Sequence, residues 1–385
     1  MKIVHLNDVC EIIAGQSPPS KFYNDQGIGL PFFQGKADFG ELHPNVRVWC
    51  SEPKKVAEAG DILISVRAPV GPTNLANQKS CIGRGLSAIR PSKGIDTKFL
   101  LHYLRAIEPK LANMGSGSTF SAITQKDLRA IEVPLPPLAE QQRIAAILDK
   151  ADALRAKRRA ALAKLDTLLQ ATFLDMFGDP VTNPKGWKQY ELGELLSTII
   201  DYRGKTPPKS PSGIPLISAA NIKNGRVDIS KPQFISHETY KKWTTRGFTK
   251  PGDVLITTEA PVGSVAAYPE KGIYQISRRV MALRPKPNLI LSEYLLEVML
   301  NPKWHTRLTA VTRGSTVPRV LKPDITTQLI PIPPLKLQRS FVNQKSTIIT
   351  IREKHKSFLH QSDVLFKTLQ QRAFKGELTS KLGER

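Results

Sequence analysis

The residues best suited to chemistry in this chain are bases and amides set among aromatics. Residues 241–250 place Lys241, Lys242, Arg246 and Lys250 around Trp243 and Phe248, with no acid between them. Arg203, Lys205 and Lys209 stand in a proline-rich stretch. Asn221, Lys223, Asn224 and Arg226 stand in a second expected loop, and Arg278-Arg279 at the end of an expected strand. In the first half the comparable candidates are Lys36, Arg47, Lys54, Lys55, Arg67 and Arg84. Lys and Arg can contact phosphates, and Arg and Asn can also read base edges in a major groove. Each base alone is an ordinary solvated charge; the set points to nucleic acid. The 385 residues carry 56 Lys and Arg against 33 Asp and Glu, a formal charge of +23. Such an excess favours a polyanion, because phosphate contacts release condensed counterions.

Catalytic constellations are weak by contrast. The sequence has no G-x-x-x-x-G-K-[ST] phosphate loop, no acidic-Pro-Pro-aromatic tetrapeptide and no Gly-x-Gly cofactor loop after a strand. Asp38 with Glu52-Pro53-Lys54 imitates the acidic–Glu-x-Lys pattern of metal-dependent nucleases, but nothing in the second half matches it. His355 and His360 share an expected helix at a spacing of five, which does not put both on one face. Cys10, Cys50 and Cys81 lack metal-ligand spacing and read as thiols of a reduced, cytoplasmic protein. We therefore expect no catalytic residue, no metal and no cofactor in this chain. No apolar run approaches the roughly 18 residues of a membrane span, and Met1-Lys2-Ile3-Val4-His5 enters a domain without a signal-peptide core.

The elements that must position these bases come twice. Gly117-Ser118-Thr119 through Pro134-Leu135-Pro136-Pro137-Leu138 returns as Gly314-Ser315-Thr316 through Pro331-Ile332-Pro333-Pro334-Leu335, an offset of 314 − 117 = 197. Asp127 falls on Asp324 and Gln141 on Gln338. Upstream, Gly60-Asp61-Ile62-Leu63-Ile64 with Ala68-Pro69-Val70-Gly71 returns as Gly252-Asp253-Val254-Leu255-Ile256 with Ala260-Pro261-Val262-Gly263. Inside the upstream block Arg67 falls on Glu259, and beyond it Arg84 falls on Arg278. A retained frame with exchanged polar residues fits two modules that read different sequences, and ordinary drift gives the same picture.

Each module ends in prolines, which fix φ and force the chain to stop and turn. An apolar stripe at three- and four-residue steps follows, the mark of a long heptad-type helix. In the first it comprises Ile144, Ile147, Ala151, Leu154, Leu165 and Leu168, broken by Arg158. In the second it comprises Phe341, Ile348, Ile351, Phe358, Leu365 and Leu369, interrupted by His355 and Ser362. Near the helix ends Phe173 falls on Phe374, so the offset has grown by four residues, about one turn. The basic segment from Lys150 to Lys164 could face phosphates, an acidic partner or solvent. The expected fold is mixed α/β (α+β): a module at 1–137, a long spacer helix at 138–178, a second module at 179–334, and a second spacer helix with the C-terminal tail at 335–385. The two helices should pair as an antiparallel coiled coil, with the modules related by a pseudo-twofold axis.

Taken together, the Pro-x-Pro-Pro-Leu connectors, the run Ala139-Glu140-Gln141-Gln142-Arg143-Ile144, the Gly-Asp-Ile/Val-Leu-Ile blocks and the ending Leu369-Gln370-Gln371-Arg372-Ala373-Phe374 resemble the DNA-specificity subunit of type I restriction-modification enzymes. The second connector departs, with Lys336-Leu337-Gln338-Arg339-Ser340 in place of the Glu-Gln-Gln run. The resemblance implies two target-recognition domains, each reading one half of a split, asymmetric site in double-stranded DNA. It implies helices that set the unread gap and dock two methyltransferase (modification) subunits. Those partners would supply S-adenosylmethionine and methylate adenine, and restriction (translocase) subunits would supply ATP and Mg²⁺ chemistry.

Overall fold

The computed structural model describes residues 1–114, 122–202, 204, 206–314 and 316–378. The chain divides into two compact units, Met1–Ala160 with His355–Arg385, and Ala161–Lys354. Each unit holds one module and half of each long helix.

In the first unit the continuous apolar run Ile62-Leu63-Ile64 lies at the centre of an antiparallel sheet. Its strand order is Cys10–Ala14, Leu86–Pro91, Ile62–Ser65, Thr73–Leu75. Strand Ile62–Ser65 is buried throughout, so both sheet faces are covered. One cover is the helix Thr97–Ala106, which buries Phe99, Leu100, Leu101 and Leu104 and is capped by Asp96 accepting from the Phe99 amide at 2.9 Å. The other is a five-stranded sheet in which Leu30–Phe33 is central to Trp49–Cys50 and Ser80–Ile82.

The second unit repeats that sheet. The order is Leu196–Asp201, Val280–Pro285, Val254–Thr257, Val265–Ala267, with every neighbour antiparallel. Its second sheet differs, with three strands, Gln233–Ile235, Ile214–Ile217 and Gln275–Ile276. The repeat extends to single contacts. Asp61 takes Arg90 in a two-pronged ion pair (3.0 and 2.8 Å), and Asp253 takes Arg284 the same way (2.7 and 2.9 Å). Both Ala-Pro bonds, 68–69 and 260–261, are cis.

The two stripes do form the long helices, Leu138–Phe177 and Leu335–Lys375, and these pack together antiparallel. In the first unit Arg155 meets Asp363 at 2.7 Å and the Arg158 guanidinium lies 5.0 Å over the Phe358 ring. In the second, Asp166 meets Arg352 at 3.1 Å, and Phe173 meets Phe341 at 5.5 Å. As numbers rise on one helix they fall on the other.

The composition of the seam differs from the expected stripe. Ile144, Phe341 and Ile348 are buried, and Ile147, Ala151, Leu165 and Leu369 are half-buried. Leu154, Leu168, Ile351, Phe358 and Leu365 are exposed, Leu154 at 58% and Leu365 at 57%. An α-helix turns 3.6 residues per turn, so a 3.5-residue stripe rotates by about 20° per heptad away from a fixed partner. Charges complete the middle of the seam instead: Arg155 also takes Asp152 at 2.7 Å and covers the Phe366 ring at 4.3 Å. Arg159 lies 3.8 Å from Glu41, so arginines of the basic segment have partners within their own unit.

Candidate nucleic-acid interface

In both modules three stretches of backbone lie side by side at the end of the central strand. In the first, the Val66 amide donates to the Gly85 carbonyl at 3.0 Å, and the Ile123 amide donates to the Val66 carbonyl at 3.0 Å. In the second, the Thr258 amide donates to the Arg279 carbonyl and the Val320 amide to the Thr258 carbonyl, each at 2.9 Å. Outer bridges complete the frame, Arg67 with Ala122 and Glu259 with Arg319. The frame sits where the strand ends because the Ala-Pro-Val-Gly turn reverses the chain: Gly71 has φ +105° and Gly263 φ +75°, a conformation that favours glycine.

Exposed side chains project from this frame. Arg67 and Arg84 do so in the first module, Arg278 and Arg319 in the second. Among the described residues no hydrogen bond or ion pair engages these four guanidinium groups. Glu259 is half-buried and its Oε1 holds Arg279 Nε at 2.5 Å. A polar cleft beside it has Asp201, Thr258, Glu259, Arg278, Arg319 and Leu321 in its lining.

The remaining sequence candidates divide by partner. Lys36, Lys54, Lys55 and Lys241 are exposed. Arg47 pairs with the buried Asp38, and Lys242 with Glu238 at 2.7 Å, which raises the Lys242 ammonium above its ordinary value. Lys223 holds Asp228 at 3.0 Å; a Ser230 amide and Lys223 keep that carboxyl well below the carboxylate range. Arg226 reaches Glu353 on the second long helix at 3.4 Å, and Arg246 donates to the Asp201 carbonyl at 2.9 Å. The Asn221 amide closes its own loop, accepting from the Ser218 amide at 2.9 Å and donating to the Asp228 carbonyl at 2.8 Å. Arg203 and Lys205 lie outside the described residues. Asp38, the first acid of the nuclease-like triple, accepts from the Gln34 and Gly35 amides as well as Arg47. Among the described residues no group of three or more His, Cys, Asp or Glu could hold a metal ion.

Two residues that hold the modules in place were visible in the sequence as a repeat without a role. Gln141 is fully buried; its Oε1 accepts from the Asp96 amide at 2.8 Å and its Nε2 donates to the carbonyls of Gly94 (3.0 Å) and Pro136 (2.9 Å). Gln338 repeats this with the Leu291 amide (2.9 Å) and the carbonyls of Leu289 (3.2 Å) and Pro333 (2.8 Å). Each glutamine ties the first turn of a long helix to the loop preceding a module helix, so both sides of the side-chain amide are satisfied. Ile144 and Leu148 pack on Phe99 beside this clamp in the first unit.

The model for the type I restriction modification DNA specificity domain matches residues 1–164 and 184–375. The chain belongs to this family. A protein of Methanocaldococcus jannaschii described as a type I restriction enzyme MjaX specificity subunit is 52% identical over 145 residues, 37% of this chain and 34% of the relative. The chain thus aligns with about a third of that relative's length. Two solved structures match nearly throughout and share the fold. One, described as showing complex assembly and conformational transition of the type I R-M system, has a TM-score of 0.63 at 22% identity and covers 98% of both chains. The other, the S subunit of a type I restriction-modification system from M. genitalium, has a TM-score of 0.60 at 14% identity and covers 97% of this chain and 96% of its own. Among the described residues no helix is long and apolar enough to cross a membrane.

Proposed function

We propose that this chain is the sequence-reading subunit of a type I restriction-modification assembly and carries no catalytic group of its own. Each module, 1–137 and 179–334, reads one half of a bipartite, asymmetric site in double-stranded DNA. The paired helices hold the modules apart and fix the gap, since successive major-groove faces repeat about every 34 Å. The observation that carries this reading is one backbone frame used twice with different exposed side chains. A duplicated enzyme would keep its reacting groups, whereas a duplicated reader keeps the frame and changes what projects from it.

The helices would also dock two methyltransferase subunits. Exposed Leu154, Leu168, Ile351, Phe358 and Leu365 give them apolar surface for such partners. Those subunits would bring S-adenosylmethionine and methylate adenine, and restriction subunits would bring ATP hydrolysis with Mg²⁺. The test is replacement of residues 179–334 by the corresponding module of a relative, in the assembled methyltransferase, with methylated sites mapped across a genome. One half-site should change and the other persist; change in both halves would reject modular reading. Removing about one turn from both helices should alter the gap and leave the half-sites intact.

A further inference from the structure

The two frames present equal net charge in opposite arrangements. The first module offers two guanidinium groups, Arg67 and Arg84, with Gly85 and Ala122 at the remaining positions. The second offers Arg278, Arg279 and Arg319 with the carboxylate of Glu259. Both therefore carry two net positive charges. Where the first module has Arg67 bridged to Ala122, the second has an acid bridged to a base. Gly85 cannot follow its counterpart Arg279, because a Cβ there would lie 2.3 Å from the Gln34 carbonyl oxygen.

Phosphate attraction follows charge and carries no sequence information. Base reading depends on which atom donates and which accepts, and this differs. We propose that the bridged pair, Arg67 with Ala122 and Glu259 with Arg319, is a specificity-determining position within each half-site. Arg67 offers donors alone and suits the O6 and N7 acceptors of guanine. Glu259 offers an acceptor to an exocyclic amine, cytosine N4 being the usual partner of a carboxylate, while Arg319 beside it offers donors. Arg279 engages Glu259 Oε1 and orients the carboxylate toward the cleft that Arg278 and Arg319 line. This inference rests on modular reading and names the residues that carry it.

The test uses the full methyltransferase complex reconstituted with the chain, and a DNA library randomised in both half-sites. Arg319→Ala and Glu259→Gln should relax base preference at one or two positions of one half-site. Discrimination there should fall roughly 5- to 150-fold, the size of one bidentate base contact. The other half-site should be unchanged, and Arg67→Ala should give the mirror result. Unchanged preference in all three variants would overturn the proposal. So would slower methylation of every sequence alike with a shallower salt dependence, the behaviour of a phosphate contact. If Glu259→Gln lowers the melting temperature, Arg319→Ala decides, because its side chain is exposed. A wild-type complex that methylates without any sequence preference would instead refute the function proposed above.

Discussion

In the first unit the module helix Thr97–Ala106 meets the long helix through bases, Lys98 Nζ at 2.7 Å and His102 Nε2 at 2.8 Å from the Asp149 carboxylate. In the second unit the module helix Ser292–Leu300 presents an acid, Glu297, to Lys345 of the long helix at 2.8 Å. The glutamine clamps are the same, yet the charge sense across the joint is reversed. A module placed on the wrong helix would set base against base or acid against acid in a half-buried joint, where like charges are costly. The joint also differs in kind. Phe173, Phe177, Tyr294 and Phe341 surround the second with ring centroids 4.8 to 5.8 Å apart. The first relies on Phe99, Tyr103 and Phe374 with a buried histidine. Two copies of one design thus meet their long helices through different side chains.

The comparison breaks most sharply at the aromatic joint. Phe341→Ala should cost about 3–5 kcal/mol, as for a large buried ring replaced by a cavity, and calorimetry should show the loss as a lowered melting temperature. Glu297→Ala should cost roughly as much, about 3–5 kcal/mol, because Lys345 is left buried and unpaired. The reversed double change Glu297→Lys with Lys345→Glu should regain most of it in the same assay, if charge pairing and not packing is what the joint needs. Gln141→Ala and Gln338→Ala should each cost about 2–3 kcal/mol in denaturant unfolding, by leaving a buried amide and two carbonyls without partners. Near-equal losses are expected, since the clamps are equivalent.

The histidine gives a smaller, pH-dependent distinction. Burial pushes the His102 imidazole below its ordinary value and outweighs the Asp149 hydrogen bond that favours the charged form. Its Nε2 donates to Asp149, and among the described residues its buried Nδ1 has no acceptor for a second proton. The unfolded chain therefore binds this proton more readily, so stability is full above about pH 6.5 and falls as pH drops toward the folded-state value. Urea unfolding at pH 7.5 and 5.5 should show that loss in the wild type and less of it in His102→Gln. A pH response unchanged by the substitution would remove His102 from the account. Smallest of all, Leu154→Ser and Leu365→Ser should shift stability by no more than about 0.5 kcal/mol, while the docking proposed above requires that they weaken retention of a methyltransferase subunit in a pull-down.

Much of the fold was legible in the sequence because its signals are local. Prolines at 136–137 and 333–334 stop strands, and stripes at three- and four-residue steps made the long helices readable to within a residue or two of their ends. The seam was less legible. Leu154 and Leu365 satisfy the same spacing as Ile144 and Phe341, and periodicity cannot tell which of two apolar faces meets a partner. The candidate interface was legible as a set of charges and as the exchange of Arg67 for Glu259. The bridges to Ala122 and Arg319 were hidden, because these residues lie 55 and 60 positions away in the chain and meet Arg67 and Glu259 only through the backbone.

By itself the sequence determined the duplication, the paired helices and a basic, reader-like character, since each is written in repeats, spacing or composition. The tertiary structure alone decided which charges are spent inside the molecule and which stay exposed. Arg47, Arg155 and Arg226 look no different in sequence from Arg67, Arg84 and Arg278. Their partners Asp38, Asp363 and Glu353 reach them only when folding brings those segments together, and an arginine already held by a carboxylate has fewer donors left to offer a base.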